Sequence, residues 1–370
     1  MTKPKLLFYT HALLDGGAER LWACLATEFK ARGYDVIFAQ DFVADDNAAS
    51  LDTSIPLVTL GSGHIRATWR LARLLARERP DVALSSIGGC NTKLLIARAL
   101  SGAATRTIIS YHGYNEWKTG WLSWIAYAGL PLMSRYAART VAVSNGLKDT
   151  LVRDWRAAAD RTVAIHNPVF FPAATPVPTR DELRARDNVV LAAGRLVAEK
   201  DFGTLIRAFA LVKAPGARLV ILGKGPERAM LEAEIARLGL GNRVVLAGYV
   251  REPWPHYLTA KCFAISSLSE QFGNVVVEAM AHGLPVIATA CTGPVEILAD
   301  GRYGRIVPSS DAKSLAQAID AALSDPGDPA AQRARAEEFS LAVRLPAYER
   351  LIEDVLRGGS TAPVPRAGRE

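Results

Sequence analysis

Cysteine is scarce in this chain. Its 370 residues include four, Cys24, Cys90, Cys262 and Cys291, far apart and without a Cys-x-x-Cys pair. That excludes a disulfide scaffold and a zinc ribbon, and it leads us to expect reduced thiols in a cytoplasmic protein. No apolar stretch reaches the roughly 20 residues needed to span a bilayer. The opening "MTKPKLLFYT" has only a short apolar run before His11 and reads as a first strand, not a signal sequence. Gly-x-Ser-x-Gly, Walker and His-Glu-x-x-His motifs are missing, so those enzyme classes have no support. Asp-x-Asp is missing too. Basic residues exceed acidic ones by 44 to 37, a net charge of +7, but they form no block. This moderate, scattered excess suits an anionic substrate or an anionic membrane face, and nucleic acid is not expected as a partner.

What is present is alternation. "KLLFYT", "YDVIFAQ", "DVALSS" and "RTIISYH" read as strands, separated by helical patterns such as "GGAERLWACLATEFKARG", "ATWRLARLLARER" and a helix from Asn91. The rhythm breaks at "NPVFFPAATPVPTRDELRARDN", whose four prolines mark a linker, and then restarts with "NVVLAAG", "DFGTLIRAFALV", "ARLVILG" and "ERAMLEAEIARLG". "RVVLAGYV", "CFAISS" and "PVIAT" are further strands. Strand and helix in alternation imply parallel sheets with crossover helices. The expectation is an α/β fold of two tandem Rossmann-like domains facing each other across a cleft. The expected boundaries are 1–167, a linker at 168–188, a second domain at 189–340, a C-terminal helix at 341–357 and a disordered tail at 358–370.

In such folds the chemistry sits in the loops that follow strands. After the first strand, Gly16 and Gly17 precede a helix and allow a ligand to approach the backbone, or they form a plain turn. After "NVVLAAG", Arg195 and Lys200 sit where a guanidinium and an ammonium would neutralise a diphosphate; the alternative is a solvated basic loop. "GKGPER" has Arg228 in place of the last glycine of a dinucleotide fingerprint, and no acid closes the next strand, so NAD is rejected. His112 ends a buried-looking strand, where a structural role and a substrate hydrogen bond are both open. In "SEQFGNVVVEAMAHG" a loop of Glu270, Gln271, Phe272 and Gly273 leads into a helix from about Asn274, with Gly283 as its stop. Free N–H groups at that start make an anion site. Glu278 lies a turn inside, among apolar neighbours, and needs a partner such as a sugar diol.

"GGAER", "AAGRLVAEKDFGTLIRAF", "LVILGKGPER" and "SEQFGNVVVEAMAHGLPVIATACTGPVEIL" together resemble the retaining glycosyltransferases of the GT-B fold, family 4. The resemblance covers nearly the whole chain, and "TGPVEIL" is similar to bacterial members that build lipid-linked oligosaccharides or surface polysaccharides. It implies that Arg195 and Lys200 hold the donor diphosphate, that Glu278 binds the ribose hydroxyls and that Glu270 binds hydroxyls of the donor sugar. Phe272, Gly273 and Asn274 would shape that pocket through their backbone. Gly16 and Gly17 would approach the diphosphate, His112 would contact the transferred sugar, and Gly248, Tyr249 and Val250 would lie near the base. The helix around Tyr348–Leu356 would cross back to the first domain.

The implied activity is transfer of a hexosyl or N-acetylhexosaminyl unit from a nucleoside diphosphate sugar, with uridine the expected base, to an acceptor hydroxyl on a lipid-linked glycan. Neither cofactor nor essential metal is expected. Trp117, Trp121 and Trp124 recur at helical spacing, with Lys118, Arg135 and Arg139 nearby. They form either an aromatic core stripe or an interfacial helix that holds the protein on the cytoplasmic face of an anionic membrane. A sugar-nucleotide epimerase and a non-catalytic nucleotide-sugar binding protein are the alternatives of the same fold. Hydrolysis by Glu270 and Glu278 as a carboxylate pair fits poorly with loops built for a diphosphate.

Overall fold

The computed structural model describes residues 3–14, 17–44, 47–113, 121–172 and 176–358. The chain divides into two compact units: unit 1 takes in residues 1–166 and 344–370, and unit 2 residues 167–343. Each is α/β with a single parallel sheet.

In unit 1, β1 (Lys5–Thr10), α1 (Gly17–Ala31), β2 (Asp35–Gln40), β3 (Leu57–Thr59), α2 (His64–Glu78), β4 (Val82–Ser86), α3 (Gly88–Ser101) and β5 (Arg106–Tyr111) alternate. They are followed by α4 (Trp121–Ala128), α5 (Leu130–Tyr136), β6 (Arg139–Ala142), α6 (Asn145–Arg153) and β7 (Thr162–Ala164). The strand order is β3-β2-β1-β4-β5-β6-β7. Leu7 of β1 sits level with Ile37 on one side and Ala83 on the other. Helices cover both faces, which is why β4 is buried at all five positions. In α1, Leu21, Trp22, Leu25, Ala26 and Phe29 are buried at helical spacing, so the sequence pattern and the packed face agree.

Unit 2 contains α7 (Arg180–Ala185), β8 (Val189–Ala193), α8 (Phe202–Leu211), β9 (Arg218–Leu222), α9 (Arg228–Arg237), β10 (Val244–Gly248), α10 (Trp254–Thr259) and β11 (Cys262–Ile265). It continues with α11 (Asn274–Ala281), β12 (Val286–Thr289), α12 (Thr292–Ile297), β13 (Arg305–Val307), α13 (Ala312–Ser324) and α14 (Pro329–Glu337). The order is β10-β9-β8-β11-β12-β13. Phe202, Leu205, Ile206 and Phe209 of α8 share one apolar core with Leu315 and Ile319 of α13 and with Leu219 and Ile221 of β9.

The last helix, α15 (Leu341–Leu356), starts in unit 2, and from Arg344 on it belongs to unit 1. There Tyr348, Leu351, Ile352 and Val355 are buried, Arg32 pairs with Glu349 at 2.8 Å, and Arg106 donates to the Leu356 carbonyl at 2.8 Å. The stretch expected as a linker, 168–188, belongs to unit 2, and its described residues, 168–172 and 176–188, make defined contacts there. Thr179 and Glu182 form a reciprocal capping box on α7, Leu183 is buried, and Val169 bridges to Ser340. The helix expected from Asn91 begins three residues earlier, at Gly88. The expected tail lies outside the described residues from 359 on.

Candidate functional site

In both sheets the strand order reverses at one point, between β1 and β4 in unit 1 and between β8 and β11 in unit 2. Loops at the carboxyl ends of strands beside such a switch point are where open α/β sheets hold ligands. In unit 2 those two loops carry Arg195 with Lys200, and Glu270.

The β8 loop is built by close packing. Gly194 N–H donates to Leu222 O at 2.9 Å and Leu196 N–H to Lys224 O at 2.9 Å. A Cβ on Gly223 would lie 1.8 Å from Gly194 O, so only glycine lets the "GKG" turn pack against the Arg195 loop. "GKGPER" therefore forms a tight turn that leads into α9. A 3-10 turn at Ala198–Lys200 follows, and Asp201, at φ 44°, caps α8 by accepting from Thr204 N–H. Ser266 Oγ, at the end of β11, donates to the carbonyls of Lys200 and Asp201, both at 2.9 Å, and Leu268 N–H reaches Glu199 O at 2.8 Å. These bonds tie the two loops together. The Lys200 ammonium forms an ion pair with Glu270 Oε2. Arg195 is exposed, and among the described residues no ion pair holds its guanidinium.

Glu270 is fixed from behind. Its carbonyl accepts from Gly293 N–H at 2.9 Å, and a Cβ on Gly293 would come within 2.3 Å of Phe272 O. Phe272 is buried edge-on against Phe339, with centroids 5.7 Å apart. Gly273, at φ 97°, turns the chain into α11, whose N-terminus no side chain caps. Asn274 Oδ1 accepts from Asn167 Nδ2 at 3.2 Å. Glu278 is only 8% exposed and accepts from the buried Tyr257 hydroxyl at 2.9 Å. Tyr257 stacks on His282, whose Nδ1 donates to Glu278 O at 2.7 Å. Burial lowers the His282 pKa, which favours the neutral ring. Gly248, at φ 79°, ends β10 at a register shift, and the exposed Tyr249 lies under the Lys224 ammonium at 5.1 Å. Val250 follows, half-buried.

The two glutamates therefore have different partners, Lys200 for Glu270 and Tyr257 for Glu278. Tyr257 escaped the sequence reading because its helix, "WPHYLT", is only six residues long and carries no periodic signal.

In unit 1, Gly17 opens α1, and Gly16 lies outside the described residues. His112 hydrogen-bonds Ser110 Oγ through Nε2 at 2.9 Å and meets Trp22 edge-on, with centroids 5.4 Å apart. Desolvation pushes its pKa down to about 3, so the imidazole is neutral. A second cluster at this sheet end went unnoticed in the sequence. Asp41, just past β2, accepts from Tyr9 Oη at 2.8 Å and from His11 Nδ1 at 2.7 Å, and it pairs with the buried Lys93 of α3. Burial raises the Asp41 pKa, but the His11 hydrogen bond, the Lys93 charge and the Tyr9 hydroxyl outweigh it, and the net shift is downward. One signal was available. Lys93 falls on the same helix face as Cys90, Leu94 and Ala97, where a lysine needs a buried partner.

The Trp stripe proves to be surface. Trp121 is 62% exposed and Trp124 54%, which overturns the aromatic-core alternative for both; Trp117 and Lys118 lie outside the described residues. Trp121 sits edge-on to His64, the first residue of α2, which exposes Ile65 and Trp69 beside Arg66 and Arg73 and has no acid before Glu78. Among the described residues no helix is long and apolar enough to cross a membrane.

A family model described as "Glycosyltransferase Family 4" matches residues 15–170, and one described as "Glycosyl transferases group 1" matches residues 179–339. The chain belongs to the family 4 type of GT-B glycosyltransferases. The chain is 39% identical over 137 residues to the lipopolysaccharide core biosynthesis glycosyltransferase LpsE of Rhizobium meliloti, covering 37% of this chain and 40% of that protein. It is 32% identical over 146 residues, 39% of this chain and 40% of the other, to a Campylobacter jejuni protein. That protein is N-acetylgalactosamine-N,N'-diacetylbacillosaminyl-diphospho-undecaprenol 4-alpha-N-acetylgalactosaminyltransferase. The chain spans about two fifths of the length of both relatives. Among solved structures it resembles Anabaena HepE in complex with UDP and glucose, at TM-score 0.82 and 20% identity, covering 95% of this chain and 100% of that one, a likeness of fold.

Proposed function

We propose that this glycosyltransferase moves a hexosyl or N-acetylhexosaminyl unit, with retention of configuration, from a nucleoside diphosphate sugar to a hydroxyl of a lipid-linked glycan. Unit 2 takes the donor. Arg195, Lys200 and the uncapped N–H groups at the head of α11 receive the diphosphate, where negative charge grows as the bond to the sugar breaks. Glu278 takes the ribose diol, Glu270 takes hydroxyls of the sugar, and the Gly248–Val250 turn lies against the base. No metal is assigned a part. The observation that carries this reading is the Lys200–Glu270 pair at a topological switch point, with Arg195 in the same loop and in no ion pair among the described residues. Without a ligand the pair neutralises itself; a donor with both a diphosphate and hydroxyls gives each member a new partner.

The two relatives support the acceptor class, since one acts on a diphospho-undecaprenol-linked sugar and the other in lipopolysaccharide core biosynthesis. A neighbour solved with UDP supports uridine as the base. A lipid-linked acceptor would place the enzyme on the cytoplasmic membrane face. The exposed Trp121, Trp124, Ile65 and Trp69, set beside arginines, supply the apolar and basic character of an interfacial surface. The test of the whole reading is a panel of nucleotide sugars followed by ligand-observed NMR, then turnover with a lipid-linked acceptor extract. Binding without turnover leaves a binding protein, and no binding of any nucleotide sugar refutes the proposal.

A further inference from the structure

Three neighbouring strands of unit 1 enter the sheet with the same short pattern: "RTI" at Arg106, "RTV" at Arg139 and "RTV" one residue ahead of β7 at Arg161. Because β5, β6 and β7 are parallel and adjacent, the repeat puts three arginines at one edge of the sheet, its amino edge. Arg98 of α3 joins them. Together with Thr105, Thr107, Tyr136, Asp160 and Val355 they line a cavity of about 410 Å³.

The charge there is unbalanced. Among the described residues four arginines line the cavity against a single carboxylate, Asp160, which is 67% exposed and only within 4.0 Å of Arg161. An exposed pair at that distance neutralises little. The described hydrogen bonds from these guanidinium groups go to neutral oxygens. Arg98 donates to Tyr136 Oη at 2.7 Å and Thr105 O at 3.3 Å, Arg106 to Leu356 O at 2.8 Å, Arg139 to Ala138 O at 2.9 Å and Arg161 to Arg135 O at 2.6 Å. On Arg98, Arg106 and Arg161 such bonds hold the planar group in place and leave its charge intact. A guanidinium has five donors, of which these bonds use two on Arg98 and one on Arg106. Fixed guanidinium groups that share a cavity repel one another unless an anion joins them, and their geometry matches the oxygens of a phosphate.

We infer that this cavity binds a phosphate-bearing anion with more than one charge, either a soluble di- or polyphosphate or the headgroup of an anionic lipid. It opens at the amino edge of the unit 1 sheet, whereas His11, His112 and the Asp41 cluster follow the carboxyl ends of β1, β5 and β2. The site is thus distinct from the one proposed for catalysis and would act as an anchor or a regulatory site. The inference stands without the proposed donor site.

The test is hydrogen–deuterium exchange on the full chain with sodium pyrophosphate at low ionic strength. The expected result is protection of residues 105–107 and 136–140, a location that separates this site from any pyrophosphate held by the 195–200 and 270–276 loops. Arg98→Gln with Arg139→Gln should remove that protection and weaken this binding by about tenfold or more, since each hydrogen bond to a charged group is worth ~1.5–3 kcal/mol. Ala138→Glu, which adds a carboxylate to the lining and removes no arginine, should do the same and covers the case in which the double variant misfolds. Co-sedimentation with phosphatidylglycerol-containing vesicles, against pure phosphatidylcholine, separates the sources. Retention that falls in both variants assigns the phosphate to lipid; retention unchanged while pyrophosphate protection is lost assigns it to a soluble ligand. If pyrophosphate leaves 105–107 and 136–140 unprotected and vesicle retention is the same in all three proteins, the inference is overturned.

Discussion

Replacing Glu278 and Glu270 one at a time by glutamine tests how the donor is divided between them. Glutamine keeps the size of each side chain and removes the charge. Glu278 is buried and accepts from Tyr257, and a carboxylate offers about four acceptor positions. A ribose diol donating to that carboxylate makes two charge-assisted bonds, each worth ~1.5–3 kcal/mol. An amide oxygen still accepts from one hydroxyl, so the loss should be about one such bond, or roughly 10- to 150-fold in affinity for the bare nucleoside diphosphate. Glu270→Gln should behave differently because of its ion pair. Losing the carboxylate frees Lys200, whose ammonium then meets the diphosphate without a competitor. Affinity for the bare nucleoside diphosphate should therefore stay level or rise, while turnover of the intact donor falls. Isothermal titration with UDP, GDP and ADP, using the tightest of them on both variants, reads the first quantity, and initial rates with the matching sugar nucleotide read the second. Equal loss of nucleoside diphosphate affinity in both variants would refute the division, as would wild-type affinity in Glu278→Gln.

Three further outcomes follow from the same geometry. His112 has a pKa depressed from 6.5 to about 3, so the folded state resists a proton that the unfolded chain accepts. Its contribution is complete above pH 6.5 and is lost as pH falls toward 3, at about 1.4 kcal/mol per pH unit. Urea titrations of His112→Asn across that window should show a shallower acid loss than wild type, and parallel curves would show that the ring is not held neutral. Lys93→Met leaves Asp41 buried beside His11 without its ammonium partner, which should cost about 3–5 kcal/mol by chemical denaturation; a loss under about 1 kcal/mol would mean the pair is hydrated. Prolonged dialysis against EDTA should leave glycosyl transfer unchanged, and activity restored only by added magnesium or manganese would overturn the metal-free reading.

How much of this could be read from the sequence depended on element length and on burial. Long amphipathic helices such as α1 and α8, and strands buried on both faces such as β4 and β11, announce themselves by their apolar spacing. The three-residue strands β3, β7 and β13 do not, because three residues are too few to show a period. The unit 2 loops were legible because glycine, lysine and glutamate there break an otherwise apolar pattern at strand ends. What the sequence could not supply was pairing. That Lys200 meets Glu270, seventy positions away, depends on β8 and β11 lying side by side, a neighbourhood created only when the strand order reverses. The Asp41–Lys93 pair was hidden for the same reason, since β2 and α3 are distant in the chain and join only across β1 and β4. The arginine edge is a third case. "RTI" and the two "RTV" stretches are plain to see, yet each looks like a strand start with one solvated charge. Only the order β5-β6-β7 turns three such starts into one basic rim, so strand adjacency brings the residues together at both the proposed donor site and the proposed anion site.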